Sequence, residues 1–153
     1  MTDMLVRLYA LPGYADSGSL VIRHPFAWEK DLVTGWVEAH FSKDWAREAA
    51  VAFAVLPVSA YIAVRDGTLA GFACYDCTCR NFFGPMGVAE AHRKQGIGRA
   101  LLLKTLWRMR DDGYGYAIIG GVGPAVFYEK TVGAQIISGS TPGIYGQILK
   151  PIG

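Results

Sequence analysis

The sequence predicts a mixed α/β fold, of either the α/β or the α+β type. Short segments rich in β-branched and aromatic residues, bounded by Gly, Pro, Asp or Ser, alternate with segments of helical periodicity. Of the 153 residues, 52% are hydrophobic and 18% are charged, which is typical of a compact globular protein rather than a disordered one. We therefore expect a single domain that covers residues 1–153.

The N-terminal third predicts two strands followed by two helices. Residues 5–11 and 19–24 have strand composition, and a turn-rich loop joins them. Ser42 can cap a second helix that runs to Leu56. Before it, residues 27–41 predict a first helix because large or apolar side chains recur at near-helical intervals, at Trp28, Leu32, Trp36 and Ala39.

The middle of the chain predicts three successive strands. Residues 61–76 form two of them around Asp66-Gly67, which is the strongest short hairpin signal in the sequence. The third strand spans residues 81–88 and is unusual, since Pro85 has no N–H to donate and its two glycines weaken pairing. We expect this strand to be bulged or partly unpaired on one side.

The C-terminal part predicts a helix, a buried strand, a short helix and late strands. The long helix runs from about Gly96 to Asp112 and has Gly113 as its natural stop. An apolar strand follows at 116–122, and a short helix ends near Gly133. The late strands are expected at residues 134–140 and 145–150.

Three cysteines lie close together, at Cys74, Cys77 and Cys79. Such spacing raises the question of a zinc site. In an extended strand, however, Cys77 and Cys79 face one side and Cys74 faces the other, and a fourth ligand is not evident. We therefore expect three reduced thiols and no metal.

Charge and hydropathy indicate a cytoplasmic protein with a small anionic ligand. No signal peptide is evident, and the longest apolar segment, residues 49–64, is short for a membrane span and contains Pro57. Residues 80–110 hold seven basic residues and one acidic residue, net +6, while the remaining chain has a net charge of −4. A local basic zone favours a small anion over a nucleic acid, which requires a broader patch.

The basic zone centres on the stretch EAHRKQGIGRALLLK, residues 90–104. It matches neither a Walker loop nor a dinucleotide-binding turn. The free N–H groups of a helix start attract anions, and Arg93, Lys94 and Arg99 add positive charge there. The alternative is an ordinary strand-to-helix turn with surface cations.

Two motifs give this stretch a family context. Residues 88–100 resemble motif A of the GCN5-related N-acetyltransferase (GNAT) superfamily, R/Q-x-x-G-x-G/A, and FYEKTVGA at 127–134 resembles that family's FYEK-x-GF segment. The resemblance implies a mostly antiparallel sheet of six to seven strands with about four helices, splayed between the strands ending at Val88 and Val122. It also implies acetyl-CoA-dependent transfer of an acetyl group to a primary amine, by direct attack in a ternary complex.

The resemblance further implies roles for individual residues. Val88 would donate its backbone N–H to the oxyanion, and Tyr128 would be the general acid that protonates the departing sulfur. Tyr128 as an ordinary core residue is the alternative. Acetyl-CoA would lie along the strand and the helix start, on Met86, Gly87, Val88, Arg93, Lys94, Gln95, Gly96, Ile97, Gly98, Arg99 and Ala100.

Some features depart from the family's pattern or leave alternatives open. Gly121 stands where the family often has asparagine, and Glu90 stands where it often has proline. The general base could be Asp76, His92 or a water chain. A non-catalytic acyl-CoA-binding module and a protein N-terminal or lysine acetyltransferase are alternative functions. The acceptor could be a small-molecule or peptide amine, and a homodimer is left open, with no nucleic acid or membrane as partner.

Overall fold

The computed structural model describes residues 1–15 and 18–152, so Asp16 and Ser17 of the predicted turn-rich loop, and Gly153, lie outside the described residues. The described residues form a seven-stranded sheet and four α-helices. The strands are β1 (Met4–Arg7), β2 (Leu20–Arg23), β3 (Ala60–Arg65), β4 (Thr68–Tyr75), β5 (Phe82–Val88), β6 (Tyr116–Ile119) and β7 (Gln135–Ile136). The helices are α1 (Lys30–His40), α2 (Lys43–Val51), α3 (Ile97–Asp111) and α4 (Ala125–Val132).

The strand order in the sheet is β2-β3-β4-β5-β6-β1-β7. Neighbouring strands are antiparallel except β5 and β6, which are parallel. The prediction of a mixed, mostly antiparallel sheet of six to seven strands with about four helices is therefore confirmed. In the described part of the chain, no helix has the length and apolar character needed to cross a bilayer.

Both N-terminal helices are present, but only part of the predicted apolar face of α1 meets the sheet. Val33 and Val37 are buried, whereas Trp28 is 79% exposed and Leu32 is 73% exposed. The smaller β-branched side chains, one helical turn apart, form the contact with the sheet together with Trp36, whose ring meets that of Phe72 edge-on at 6.1 Å. Ser42 caps α2 as predicted, since its Oγ accepts a hydrogen bond from the Trp45 N–H at 3.1 Å. That helix ends at Val51, and a single 3₁₀ turn at 52–54 follows it.

The hairpin between β3 and β4 is confirmed. Arg65 pairs with Thr68, and the two residues between them both have positive φ, 51° at Asp66 and 74° at Gly67. That pair of angles defines the tight hairpin turn that Asp-Gly favours.

Apolar side chains cover both faces of the sheet. On one face α3 buries Leu101, Leu102 and Leu106, while α1 and α2 pack with Phe72 on the other. Close approach on the α3 face requires Gly71, because a Cβ at that position would lie 2.9 Å from the Leu101 Cδ1 atom.

The sheet opens between β5 and β6. The two strands pair only at Phe82 and Phe83 of β5, and β5 then continues to Val88 with β4 on one side and no strand partner on the other. Its pairing with β4 shifts register between Met86 and Phe83, so the predicted bulge is confirmed there. The predicted splay is also confirmed, but β6 ends at Ile119 rather than at Val122. The chain turns at Gly121, which has a φ of 55°, although the Val122 N–H still donates to the Thr2 carbonyl at 2.8 Å.

The C-terminal residues only partly follow the prediction. Helix α4 ends at Val132, where Gly133 with a φ of 66° terminates it, and β7 pairs with β1. The prediction of a strand at 145–150 is wrong, since residues 143–147 form a 3₁₀ turn. In this turn the Tyr145 N–H donates to the Pro142 carbonyl at 3.2 Å. Proline and glycine at the start of this segment favour a turn over a strand.

Candidate active site

A cavity of about 610 Å³ lies where β5 and β6 diverge. Residues 83–88 line one side of it and residues 119–124 line the other. The start of α3 and the aromatic residues of α4 complete the wall. We call this cavity the cleft.

The edge of β5 that faces the cleft has free backbone donors. The Ala89 N–H donates to the Ala70 carbonyl at 2.9 Å, so these two residues form a hydrogen-bonded pair with β4. Hydrogen-bonded and non-hydrogen-bonded pairs alternate along an antiparallel ladder. The N–H groups of Val88 and Met86, which lie opposite Gly71 and Ala73, therefore point away from β4 and towards the cleft.

The turn before α3 also presents free backbone donors to the cleft. Lys94 and Gly96 have left-handed backbone conformations, with φ of 62° and 79°. The first intrahelical hydrogen bond runs from the Ala100 N–H to the Gly96 carbonyl at 3.1 Å. The N–H groups of the three preceding helix residues, Ile97, Gly98 and Arg99, therefore have no partner within the helix. This arrangement suits a bound anion.

Most of the predicted cofactor residues line the cleft. Arg93, Lys94 and Arg99 lie on its rim with exposed side chains, and the Arg93 Nε donates to the Val88 carbonyl at 3.2 Å. Gln95 and Ala100 do not line it. The Gln95 side chain instead accepts a hydrogen bond from the Arg65 guanidinium, and the Ala100 N–H is used inside the helix.

Gly98 and Gly87, which are both predicted to bind the cofactor, differ in whether packing excludes a side chain. A Cβ at Gly98 would lie 3.7 Å from the Val88 Cγ2 and 4.0 Å from the Phe127 Cζ, which are ordinary contacts. Packing alone therefore does not require glycine there, and the empty volume belongs to the cleft. At Gly87 a Cβ would lie 2.3 Å from the ring of Phe41, so this glycine is required by packing.

Tyr128 lies at the inner end of the cleft and is only 7% exposed. Its ring contacts Phe127 and Phe83 edge-on, with centroid distances of 5.1 Å and 6.4 Å. Its hydroxyl forms no hydrogen bond with any group in the described part of the chain. Burial raises the pKa of Tyr128 to about 12, so the phenol is protonated at neutral pH. The residue therefore packs in the core and also presents a free donor to the cleft.

The two candidate bases occupy different places. Asp76 does not line the cleft. Its carboxylate instead accepts hydrogen bonds from the Asn81 N–H at 2.8 Å and from the Tyr114 hydroxyl at 2.9 Å. With a φ of 55°, Asp76 is a turn residue. His92 does line the cleft, next to Arg93 at the cationic end.

The family model for the acetyltransferase (GNAT) domain matches residues 56–131. The chain belongs to the GNAT superfamily. The matched segment contains both the turn before α3 and the first residues of α4. A comparison with curated protein sequences gives no match.

Solved structures share the fold at low sequence identity. The GCN5-related glucosamine N-acetyltransferase region of a fungal multi-domain β-N-acetylglucosaminidase has a TM-score of 0.73 and 12% identity, covering 89% of this chain and 19% of that one. A GCN5-related N-acetyltransferase from Sphaerobacter thermophilus has a TM-score of 0.71 and 17% identity, covering 89% and 48%. A GNAT acetyltransferase from Brucella melitensis, solved with acetyl-CoA, has a TM-score of 0.59 and 18% identity, covering 77% and 86%. The chain spans less than half the length of the first two.

Several residues of this GNAT cleft were not predicted from the sequence. Trp45 reaches it from α2, and Phe83, Ile119, Val122 and Phe127 line its walls. A second cavity of about 240 Å³ adjoins it and includes Glu48, Thr78 and Tyr145. The hydrophobic pattern does not distinguish these residues from core residues, because the walls of the two cavities form only when distant segments meet in the folded sheet.

The cysteines lie outside both cavities. Cys74 is buried, Cys77 is half-buried and Cys79 is exposed, and all three are free thiols. A hydrogen bond with the Cys74 thiol lowers the pKa of Cys77. Among the described residues, no group of three or more His, Cys, Asp or Glu side chains is arranged to hold a metal ion.

Proposed function

We propose that this chain is an acetyl-CoA-dependent N-acetyltransferase that transfers an acetyl group to a primary amine by direct attack in a ternary complex. One observation carries the proposal. The open edge of β5, the cationic start of α3 and Tyr128 all line one continuous cleft. The structure of the Brucella melitensis relative was solved in complex with acetyl-CoA, which fits this choice of acetyl donor. We also propose that the chain acts as a single catalytic domain.

The cofactor would be held mainly by main-chain groups. The N–H groups of Ile97, Gly98 and Arg99 are oriented to bind the pyrophosphate, and the cationic side chains on the rim add attraction. Met86 can pair with an amide group of the pantetheine arm through the same N–H and C=O groups that an added strand would use. The open volume at Gly98 gives the pyrophosphate room to approach the backbone.

Two groups would act on the reacting atoms. The Val88 N–H can donate to the oxygen of the thioester carbonyl as negative charge develops on it. Tyr128 can donate its proton to the departing thiolate. The raised pKa of Tyr128 makes it a weaker acid than free tyrosine. The apolar surroundings that raise the pKa of the phenol also disfavour a thiolate, so burial makes the sulfur a better proton acceptor.

The amine must lose a proton before it attacks. Asp76 is committed to its two hydrogen bonds and faces away from the cleft, so we exclude it as the base. His92 at the cleft rim and a water chain remain as candidates.

The proposal is tested by measuring thiol release from acetyl-CoA across a panel of amines, peptides and aminoglycosides. We expect release that depends on both substrates and an acetylated amine in the product. Tight binding of acetyl-CoA without turnover on any acceptor would contradict the proposal and support a non-catalytic acyl-CoA-binding module. Turnover confined to peptide N-termini or lysines would support a protein acetyltransferase instead.

A further inference from the structure

The second cavity meets the cleft at the point where the sheet opens. The two cavities share Trp45 of α2, residues 83–85 of β5, and Gly120 and Gly121 after β6. A molecule in the smaller cavity therefore lies next to the part of the cleft that contains Tyr128. We call this smaller cavity the acceptor pocket.

The acceptor pocket has one charged side chain among its described lining residues, the carboxylate of Glu48. One of its oxygens accepts a hydrogen bond from the Thr78 hydroxyl, which fixes the side chain from the neighbouring loop. None of the ion pairs in the described part of the chain includes Glu48. A half-buried carboxylate that has one oxygen free and no cationic partner is stabilised by a bound cation.

The remaining walls suit the body and the charge of an amine. The rings of Trp45 and Tyr145 line the pocket, and aromatic faces attract ammonium groups. Tyr145 closes one end, since a Cβ at Gly120 would lie only 2.6 Å from its hydroxyl oxygen. Burial raises the pKa of Tyr145, and the negative charges of Asp3 and Glu48 raise it further.

Size and charge together narrow the substrate class. The pocket, at about 240 Å³, is much smaller than the cleft at about 610 Å³, which favours a compact acceptor over an extended one. No Lys or Arg side chain lines the pocket within the described residues, and the cationic group there is the α-amino group of Met1, a residue that is 72% exposed. A substrate carboxylate would gain only a solvent-screened ion pair from it and would be repelled by the Glu48 carboxylate. A compact monoamine with an apolar body fits these walls better than an amino acid does.

We propose that the acceptor pocket binds a small, carboxylate-free primary amine and that Glu48 is the specificity-determining residue that holds its ammonium group as the amine arrives, before the amine loses its proton and attacks. This inference rests on the proposed function, because it names the acceptor of that same reaction.

The test measures amine binding directly, so that it does not depend on turnover. Calorimetric titrations of 2-phenylethylamine and n-butylamine into the CoA-saturated protein are compared between the natural chain and Glu48→Gln. The glutamine can still accept the Thr78 hydrogen bond but carries no charge. Because a hydrogen bond to a charged group is lost, we expect amine affinity to fall by at least about tenfold, with CoA affinity unchanged.

Three controls make the result specific. Glu38→Gln removes the same charge from the exposed surface of α1 and is expected to change nothing. Glu48→Asp keeps the charge and should restore part of the affinity. Phenylalanine adds a carboxylate to 2-phenylethylamine and should bind at least tenfold more weakly to the natural chain.

The inference would be overturned if neither amine bound the natural chain, if Glu48→Gln bound them equally well, or if phenylalanine bound as tightly as 2-phenylethylamine. These outcomes are separate from failure of the proposed function. A chain that binds amines through Glu48 but releases no thiol would contradict the transferase proposal alone.

Discussion

The two halves of the cleft are built in different ways. The cofactor half consists mainly of main-chain groups from one continuous stretch, residues 86–99. The acceptor half consists of single side chains from α2, from the loop after β4 and from the C-terminal turn, at Trp45, Glu48, Thr78 and Tyr145. A site made of main-chain groups requires particular backbone conformations, which restrict the residue types in a short stretch of sequence. A site made of side chains from distant segments places no such restriction on any one stretch. The predictions below test this difference.

The largest effect is expected in the cofactor half, from Gly98→Val. The added methyl groups would fill the volume next to the helix-start N–H groups, so the pyrophosphate could not approach them. We expect acetyl-CoA affinity to fall by more than about 100-fold, which corresponds to the loss of at least two charge-assisted hydrogen bonds. Calorimetric titration measures the affinity, and thermal melting checks that the fold is retained.

The matched control is Gly35→Val, at an exposed position in α1 where a Cβ would meet nothing within 4 Å. This variant should bind acetyl-CoA normally. Unchanged affinity in Gly98→Val would refute the location of the pyrophosphate at the start of α3.

The next effect concerns Tyr128, at the junction of the two halves. Tyr128→Phe keeps the ring packing on Phe83 and Phe127 but removes the donor. We expect kcat to fall by about 100-fold or more, the usual contribution of a general acid, with cofactor affinity unchanged. Steady-state kinetics and calorimetry separate the two quantities.

Tyr114→Phe is the control, because its hydroxyl bonds to Asp76 away from the cleft. It should leave kcat close to that of the natural chain. Because the pKa of Tyr128 is about 12, any fall in kcat at high pH caused by its ionisation should begin only above about pH 11. Full activity in Tyr128→Phe would show that the residue is only a core side chain.

The sequence was sufficient for much of the fold because local signals there agree with the tertiary structure. Asp66-Gly67 permits a tight hairpin and Gly133 permits the left-handed end of α4. The bulge in β5 followed from the missing N–H of Pro85. These features depend on backbone conformation within a few residues, which the residue types themselves restrict.

The misses have a common physical cause, which is that burial depends on partners distant in sequence. Trp28 and Leu32 have suitable spacing but face solvent, whereas Val33, Val37 and Trp36 pack towards the sheet. Residues 145–150 have strand composition, yet Tyr145 packs over Gly120 instead. The acceptor pocket falls in the same class, because nothing near Glu48 in sequence indicates that Thr78 holds it.

A third prediction distinguishes glycines of the cleft from glycines of the core. Gly87→Ala places a Cβ into the ring of Phe41, so α1 and α2 must shift from the sheet. Overpacking of this kind costs about 1–3 kcal/mol in the free energy of unfolding. Urea unfolding measures this cost, and Gly98→Ala is the control, since its Cβ makes only ordinary contacts.

If Gly87→Ala loses stability while Gly98→Ala loses mainly cofactor affinity, then packing requires the first glycine and cofactor binding requires the second. The opposite pattern would mean that the glycine turn serves packing and that the edge of β5 is the less constrained surface.

The smallest effect is expected from the side-chain charge of the cofactor half. Arg99 lies on the cleft rim with an exposed side chain, where an ion pair contributes about 0.2–1 kcal/mol. Arg99→Ala should therefore weaken acetyl-CoA binding only about two- to fivefold, and the difference should shrink as salt concentration rises. Arg110→Ala, on the same helix but beside Trp107, is the control and should have no effect. A loss from Arg99→Ala as large as that from Gly98→Val would mean that side chains dominate this site too, and the contrast between the two halves would fail.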